Sequence, residues 1–527
     1  MNENYATVWE ALSDEVGDRV AIVHGDTERT WRDFDDRASR LAAAMASFGV
    51  TQGSYVAIAM WNCPENLESL FAAFKLRAIP FNLNYRYRET ELSYIFNDAK
   101  AAVVIFDPQL GERIELAAKN VDHPMILIET GDTPTIEGAY SLEQLIASHE
   151  PAPRIARSGE DEAIIYTGGT TGYPKGVIWP HYVGMNQGAA GQPQIELDEH
   201  VAAVKATEPP RSLVIPPMMH ATGFFGATGT LSRGGAVVFY TSRSLNPDEI
   251  LGLIGKHQIA SFSVIGDAIA KPLLDALDKA AEEGHPYDLS SVQTIGNTGV
   301  IWSAPIKKGF LRHGNFVIRD SIASTEGSGF ATVESSNENE VETGHFKLGP
   351  NARVVDEDLH DIVPGSGQVG YLATTGLLPK GYLNDPEKSA KTWPTIDGKR
   401  YSMPGDMATI EVDGTVVLMG RGSEVVNTGG EKVFVEEVEQ ALLTHPAVKD
   451  TLVVGLPDER WGSRVTAVVE LESGVAVSER ELIDHVGLQL ADYKRPRQVV
   501  FVDEVPRSPT GKADRKTAKE KAVAQTS

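Results

Sequence analysis

The chain has 527 residues, 42% of them hydrophobic and 23% charged, which predicts a globular protein of two or more domains. A formal net charge of −25 argues against a general nucleic-acid binder, and a single cysteine, Cys63, excludes an internal disulfide framework and a cysteine-rich metal site. No apolar run is long enough for a membrane span, the acidic N-terminus lacks a secretory pattern and KAVAQTS is not a peroxisomal address, so a cytoplasmic enzyme is expected.

The first part of the chain alternates strand and helix. DRVAIVHGDTERTW predicts a hairpin around Gly25-Asp26, and Thr30 with Asp33 caps a helix that Gly49 ends. YVAIAM, AAVVIF and MILIE are short apolar strands, with the helix ENLESLFAAFKLRA between the first two. LVIPPMMH, GGAVVFY, NPDEILGLIGKH and SFSVIG continue the pattern. Strands without polar alternation, separated by helices, argue for largely parallel sheets covered on both faces. After about residue 422 the rhythm becomes helix, two strands, helix, strand. The expected fold is therefore α/β: a large domain, 1–421, of layered subdomains with mostly parallel sheets, then a small mobile α+β domain, 422–527. The junction Gly420-Arg421-Gly422-Ser423 is flexible enough for a hinge. The last segment also gathers Lys494, Arg495, Arg497, Arg507 and Lys512, a local basic cluster within an acidic chain.

One stretch, TGGTTGYPKG at 167–176, combines glycines, hydroxyls and a lysine. It fails the helix-opening GxxxxGK[ST] and GxGxxG patterns. Backbone amides of Gly168, Gly169 and Gly172, hydroxyls of Thr167, Thr170 and Thr171, and Lys175 suit a triphosphate, and Pro174 and Gly176 suggest a mobile flap.

Together with DSIASTEG (320–327), PGDMATIEVDGTVVLMGRGSEVVNTGGEKVFVEEVE (404–439) and PRSPTGKADRK (506–516), this loop resembles the adenylate-forming superfamily of acyl-CoA synthetases, luciferases and peptide-synthetase adenylation domains. The resemblance covers nearly the whole chain in the right order. It implies ATP, Mg²⁺ and CoA as reactants or cofactors. It implies that the 167–176 loop handles the β- and γ-phosphates, Thr325 touches the α-phosphate and Glu326 helps to hold Mg²⁺. Asp406 and Arg421 would meet the ribose, GNTGV with Gly299 would line the adenine, and Asp320 would meet its amino group. Lys512 resembles the catalytic lysine, carried away by rotation of the small domain before thioester formation. NTGGEKV, with Gly429 and Gly430, would then approach the pantetheine arm of CoA. Two departures stand out: Ser423, where relatives place a hinge aspartate, and Ile322, where many place an adenine-stacking tyrosine. His220 in IPPMMHATGF matches a position at the edge of the acyl pocket, where it would gate the pantetheine channel or orient the carboxylate; a core histidine is the alternative.

The chemistry is compatible. A carboxylic acid is ionised at neutral pH and can attack phosphorus directly, so positioning and charge stabilisation dominate. Gly223, Gly226, Ala227 and Gly229 would either make room for a wide acyl group or let helices pack closely. NLNYRYRETEL, YTGGTTGYPKGVIW and GRGSEVVNTGGEKVFVEEVE further resemble actinobacterial-type fatty acyl-CoA synthetases, a branch in which some members activate steroid side-chain acids. The expected function is AMP-forming ligation of a hydrophobic carboxylic acid to CoA, with no nucleic-acid partner and with a homodimer left open. Ligation of an aryl or short-chain acid, a catalytically silent binding protein and a luciferase-like oxygenase are the alternatives.

Overall fold

The computed structural model describes residues 1–167, 173–187, 194–298, 302, 304–338, 341, 344–421, 425–506 and 514–525. The opening elements form as the local signals require. Strands Val20–His24 and Thr27–Thr30 make a hairpin, and Thr30 caps helix Trp31–Ser47 through a reciprocal box with Asp33.

Among the described residues the strands form three sheets of 15, 8 and 5 strands. In the eight-stranded sheet the central strands Tyr55–Ala59, Ile79–Asn82, Val103–Phe106 and Glu162–Thr167 run parallel. Each is apolar because both faces are covered, by one cluster around Trp9, Phe34 and Phe71 and another around Phe81, Phe96 and Phe106. The largest sheet is mixed. Its first half is built on parallel strands Arg211–Leu213, Val237–Phe239, Ile259–Val264, Thr294–Thr298 and Val317–Ser324. From Gly327–Ser335 onward every pairing is antiparallel, so the expectation of mostly parallel sheets describes only part of this layer. Residues 425–501 supply the third sheet, backed by helices Val435–Leu443 and Glu479–Gly487 around its own core of Val433, Leu442, Val453 and Val465. That separate core fits the small C-terminal α+β unit of the expected fold class. No described helix is long and apolar enough to cross a membrane.

Candidate active site

Strands Glu162–Thr167 and Lys175–Pro180 pair antiparallel, with Thr167 opposite Lys175. The glycine–threonine loop therefore joins two strands instead of opening a helix. Tyr173, at its far side, stacks on Tyr94 of helix Glu89–Ala99 with ring centroids 4.4 Å apart. Lys175 forms an ion pair with Asp385, whose carboxyl that contact holds below its ordinary range. Asp385 also caps the short helix Pro386–Thr392 by accepting a 2.9 Å hydrogen bond from the Lys388 amide. The Lys388 side chain turns back to the same place: its Nζ lies 5.7 Å from the centroid of the Tyr382 ring, and Lys175 Nζ lies 5.8 Å from it. Burial lowers the Lys388 pKa, and the neighbouring Lys175 charge adds to the effect.

Thr325 and Glu326 occupy the tip of the hairpin formed by Val317–Ser324 and Gly327–Ser335. Three donors fix the tip's backbone. The Thr325 carbonyl accepts from Trp179 Nε1 at 3.1 Å, and the Glu326 carbonyl accepts from Trp393 Nε1 at 3.0 Å and Ser402 Oγ at 2.7 Å. Glu326 is buried, and its Oε1 accepts 3.0 Å from the Tyr382 hydroxyl. Among the described residues its other oxygen accepts no hydrogen bond, which leaves one hard ligand for a cation. No group of three described His, Cys, Asp or Glu side chains could hold a metal alone, so a cation here would need most of its shell from phosphate and water.

Asp406 and Arg421 stand opposite each other on antiparallel strands Asp406–Ile410 and Thr415–Arg421, so the two positions assigned to the ribose are neighbours. Asp320 and Asn297 are register partners on parallel strands, and the buried Asp320 carboxylate accepts from Asn297 Nδ2 at 2.7 Å. It also pairs with the buried Lys307. Burial pushes the Asp320 carboxyl up, with Lys307 and Asn297 pulling the other way. Asn297 Oδ1 in turn accepts from the Gly266 amide at 2.8 Å, fixing the start of helix Gly266–Glu282. Asp320 is thus already engaged by protein groups. Ile322 packs in an apolar cluster with Phe330 and Ala331.

His220 immediately precedes helix Ala221–Ser232, and its Nε2 lies 3.3 Å from Glu431 Oε2 without hydrogen-bond alignment. Glu431 follows the turn Gly429-Gly430, whose φ values of +57° and +84° favour glycine at both positions. Its other oxygen meets Arg86 at 2.5 Å. Burial would raise the Glu431 carboxyl, but His220, Arg86 and Lys494 outweigh it and hold it at about 2. The expected histidine is thus faced by a carboxylate from the small unit.

Beside Glu431 lies a cavity of about 430 Å³, also lined by Thr428 and Gly429. Its wall carries Arg86, Arg88, Arg113, Arg243 and Arg497 against the acidic Glu431 and Asp492. The same wall holds Trp61, Tyr85, Trp461 and Tyr493. Arg243 lies 4.3 Å from the centroid of the Trp61 ring, and Arg497 lies 5.3 Å from that of Trp461.

The helix after His220 separates the two readings of its small residues. A Cβ on Gly223 would sit 2.3 Å from the Pro217 carbonyl oxygen, and Ala227 is fully buried, so both serve packing. Gly229 faces Arg233, whereas a Cβ on Gly226 would meet nothing within 4 Å. Gly168, Gly169, Thr170, Thr171, Gly172, Gly299 and Lys512 lie outside the described residues, as do Ser423 and the side chain of Arg421. Tyr382, Lys388 and Glu431 escaped the sequence reading. Asp385-Pro386 marks a helix start, but nothing local shows that the lysine three residues after Asp385 turns toward the phosphate loop.

The chain matches the AMP-binding enzyme family over residues 9–383 and the AMP-binding enzyme C-terminal domain over residues 437–512. It is 39% identical to a 3-oxocholest-4-en-26-oate–CoA ligase of Rhodococcus rhodochrous, covering 98% of this chain and 95% of that protein. It is 36% identical to the medium-chain acyl-CoA ligase Mig of Mycobacterium avium, with 98% of each chain covered. An amide bond synthetase from Marinactinospora thermotolerans superposes with a TM-score of 0.81 at 23% identity, over 98% of this chain and 99% of that one, a likeness of fold.

Proposed function

The chain belongs to the AMP-binding enzyme family, in its acyl-CoA synthetase branch, and from that premise we propose that it joins a hydrophobic carboxylic acid to CoA through an acyl-adenylate, releasing pyrophosphate and then AMP. The observation that carries this reading is that one chain presents two separate sets of groups suited to the two half-reactions. The first is cationic and oxygen-rich: Lys175, Lys388 and Glu326 around Tyr382. The second is the arginine–aromatic cavity that ends at Glu431 and His220.

In the first half-reaction the substrate carboxylate attacks the α-phosphorus and pyrophosphate leaves. The 167–175 loop, Lys175 and Lys388 hold the departing phosphates, while Thr325 and Lys512 serve the phosphoryl group that stays. Asp406 and Arg421 hold the ribose. Gly299 lines the adenine, and Asp320, engaged with Lys307 and Asn297, braces that wall. Mg²⁺, held by Glu326 and the phosphates, would neutralise charge on the oxygens. In the second half-reaction the CoA sulfur attacks the acyl carbon and AMP leaves. Five arginines against two carboxylates in the cavity suit the phosphates of CoA, and the rings suit its adenine. Gly429 and Gly430 let the backbone approach the pantetheine arm beside His220. The acid is of the steroid side-chain or medium- to long-chain type carried in the names of the relatives.

The test separates the half-reactions. Lys512→Ala should lose most acid-dependent pyrophosphate release while still making thioester from supplied acyl-adenylate and CoA. Wild-type protein should release pyrophosphate with fatty or steroid side-chain acids more readily than with aryl or short acids. Equal loss in both half-reactions with an intact fold would overturn the role of Lys512, and inertness across all acids would overturn the proposed function.

A further inference from the structure

Lys494 belongs to the basic cluster near the C-terminus, yet its side chain is only 1% exposed. Its Nζ lies 2.8 Å from Glu437 Oε2 and 2.8 Å from Glu91 Oε1, and both glutamates are 2% exposed. The Tyr87 ring lies 4.9 Å away. Glu437 comes from the small unit's own helix Val435–Leu443, but Glu91 comes from helix Glu89–Ala99 of the large unit. The small unit therefore supplies only one of the two carboxylates that surround its buried ammonium. A buried charge is tolerated only when paired, so the second carboxylate favours the orientation that delivers it.

Neighbouring contacts share this dependence. Arg88 donates to Asp492 at 2.8 Å, Asn84 donates to the Tyr493 hydroxyl at 3.3 Å, and Ala491 is fully buried among large-unit apolar residues. The same seating brings Glu431 to His220 and closes the arginine–aromatic cavity. We propose that Glu91 is a positioning residue for thioester formation, an ionic latch that receives Lys494 when the small unit presents its glycine turn and Glu431 to the acyl site. This rests on the reading that the two half-reactions use two orientations of that unit. Rotation toward the Lys512-delivering orientation would release Lys494 from Glu91, so the latch acts on the second step and not the first.

Glu91→Gln isolates the charge. Glu91 Oε2 also accepts 3.0 Å from the Arg88 amide as a helix cap, and a glutamine oxygen preserves that bond. The full-length variant should form thioester from supplied acyl-adenylate and CoA about tenfold more slowly or worse in single turnover, while acid-dependent pyrophosphate release keeps its wild-type rate. Glu91→Asp, which keeps the charge on a shorter arm, should recover part of the loss. A second readout is independent of turnover: the distance between spin labels at exposed Leu116 and Leu488, introduced as cysteines with Cys63 replaced by serine. Glu91→Gln should deplete the population at the separation found in this structure. Equal slowing of both half-reactions, or an unchanged thioester rate with an unchanged distance distribution, would overturn the latch. A protein that turns over no acid yet shows the distance shift would instead overturn the proposed function, and with it the role in thioester formation, while Glu91 would still set the orientation of the small unit.

Discussion

Lys388 offers the sharpest check on the phosphate end of the site. Its ammonium and that of Lys175 flank one ring, Tyr382, with Glu326 and Asp385 beside them. Replacing Lys388 with methionine keeps the aliphatic stem and removes the charge. A hydrogen bond from an ammonium to phosphate oxygen contributes about 1.5–3 kcal/mol after desolvation, so ATP should bind roughly 10- to 150-fold more weakly. Stability should not fall with it. The Lys388 pKa sits below its ordinary 10.5, so its surroundings disfavour the charged form, and the methionine variant should melt at the same temperature or higher. The pH dependence follows with a definite sign. Bound phosphate favours the ammonium, so affinity is full while Lys388 is protonated in the empty site and declines as pH rises through its lowered value. The decline begins at lower pH than for an ordinary lysine. Lys388→Arg, which stays charged, should abolish that alkaline fall. Equilibrium titration with ATP, alongside the ATP dependence of pyrophosphate release, reads both effects. Affinity within about twofold of wild type in the methionine variant, with the fold intact, would refute any contact between Lys388 and phosphate.

Glu431→Gln should slow thioester formation from supplied adenylate by about tenfold and leave adenylation unchanged, as stopped-flow mixing with CoA would measure. Because its carboxyl is held at about 2, below an ordinary 4.5, its contribution is complete above pH 4.5 and lost only as pH falls toward 2. The defect should therefore be constant across neutral pH, and a defect that appears only in part of that range would point to another group. Gly226→Phe should cut turnover of steroid-sized acids far more than that of short ones, since open space at that position is the room a wide acyl group would use. Equal activity on a graded acid series would assign the space to solvent instead.

The family and the fold class were legible because the motifs that carry them are contiguous. The Thr30–Asp33 box, the apolar parallel strands and the small C-terminal unit followed from capping and periodicity. Asp406 and Arg421 lie 15 residues apart, yet strand register sets them side by side. The antiparallel half of the large sheet was not read, because its strands are interrupted by turns and carry little uniform apolar character. Tyr382, Lys388 and Glu431 were missed for another reason. Each meets a partner far along the chain: Tyr382 meets Glu326, Lys388 lies beside Lys175, and Glu431 meets His220 and Arg86. Tertiary approach creates such pairs, and no local pattern encodes it.

Lys494 carries that argument to the junction between the units. In sequence it belongs to a basic cluster with Arg495 and Arg497. Arg497 does face the cavity, whereas Lys494 is buried between two carboxylates. Several contacts that seat the small unit near the site are polar and partly exposed, such as Arg88 with Asp492. Such contacts exchange for water at little net cost, so an interface built from them can open and close within a catalytic cycle, unlike a large apolar one. Lys494 differs in being buried together with both of its carboxylate partners. Its loss of Glu91 leaves a desolvated charge less well paired, so this contact, more than the exposed pairs around it, can bias which orientation is populated.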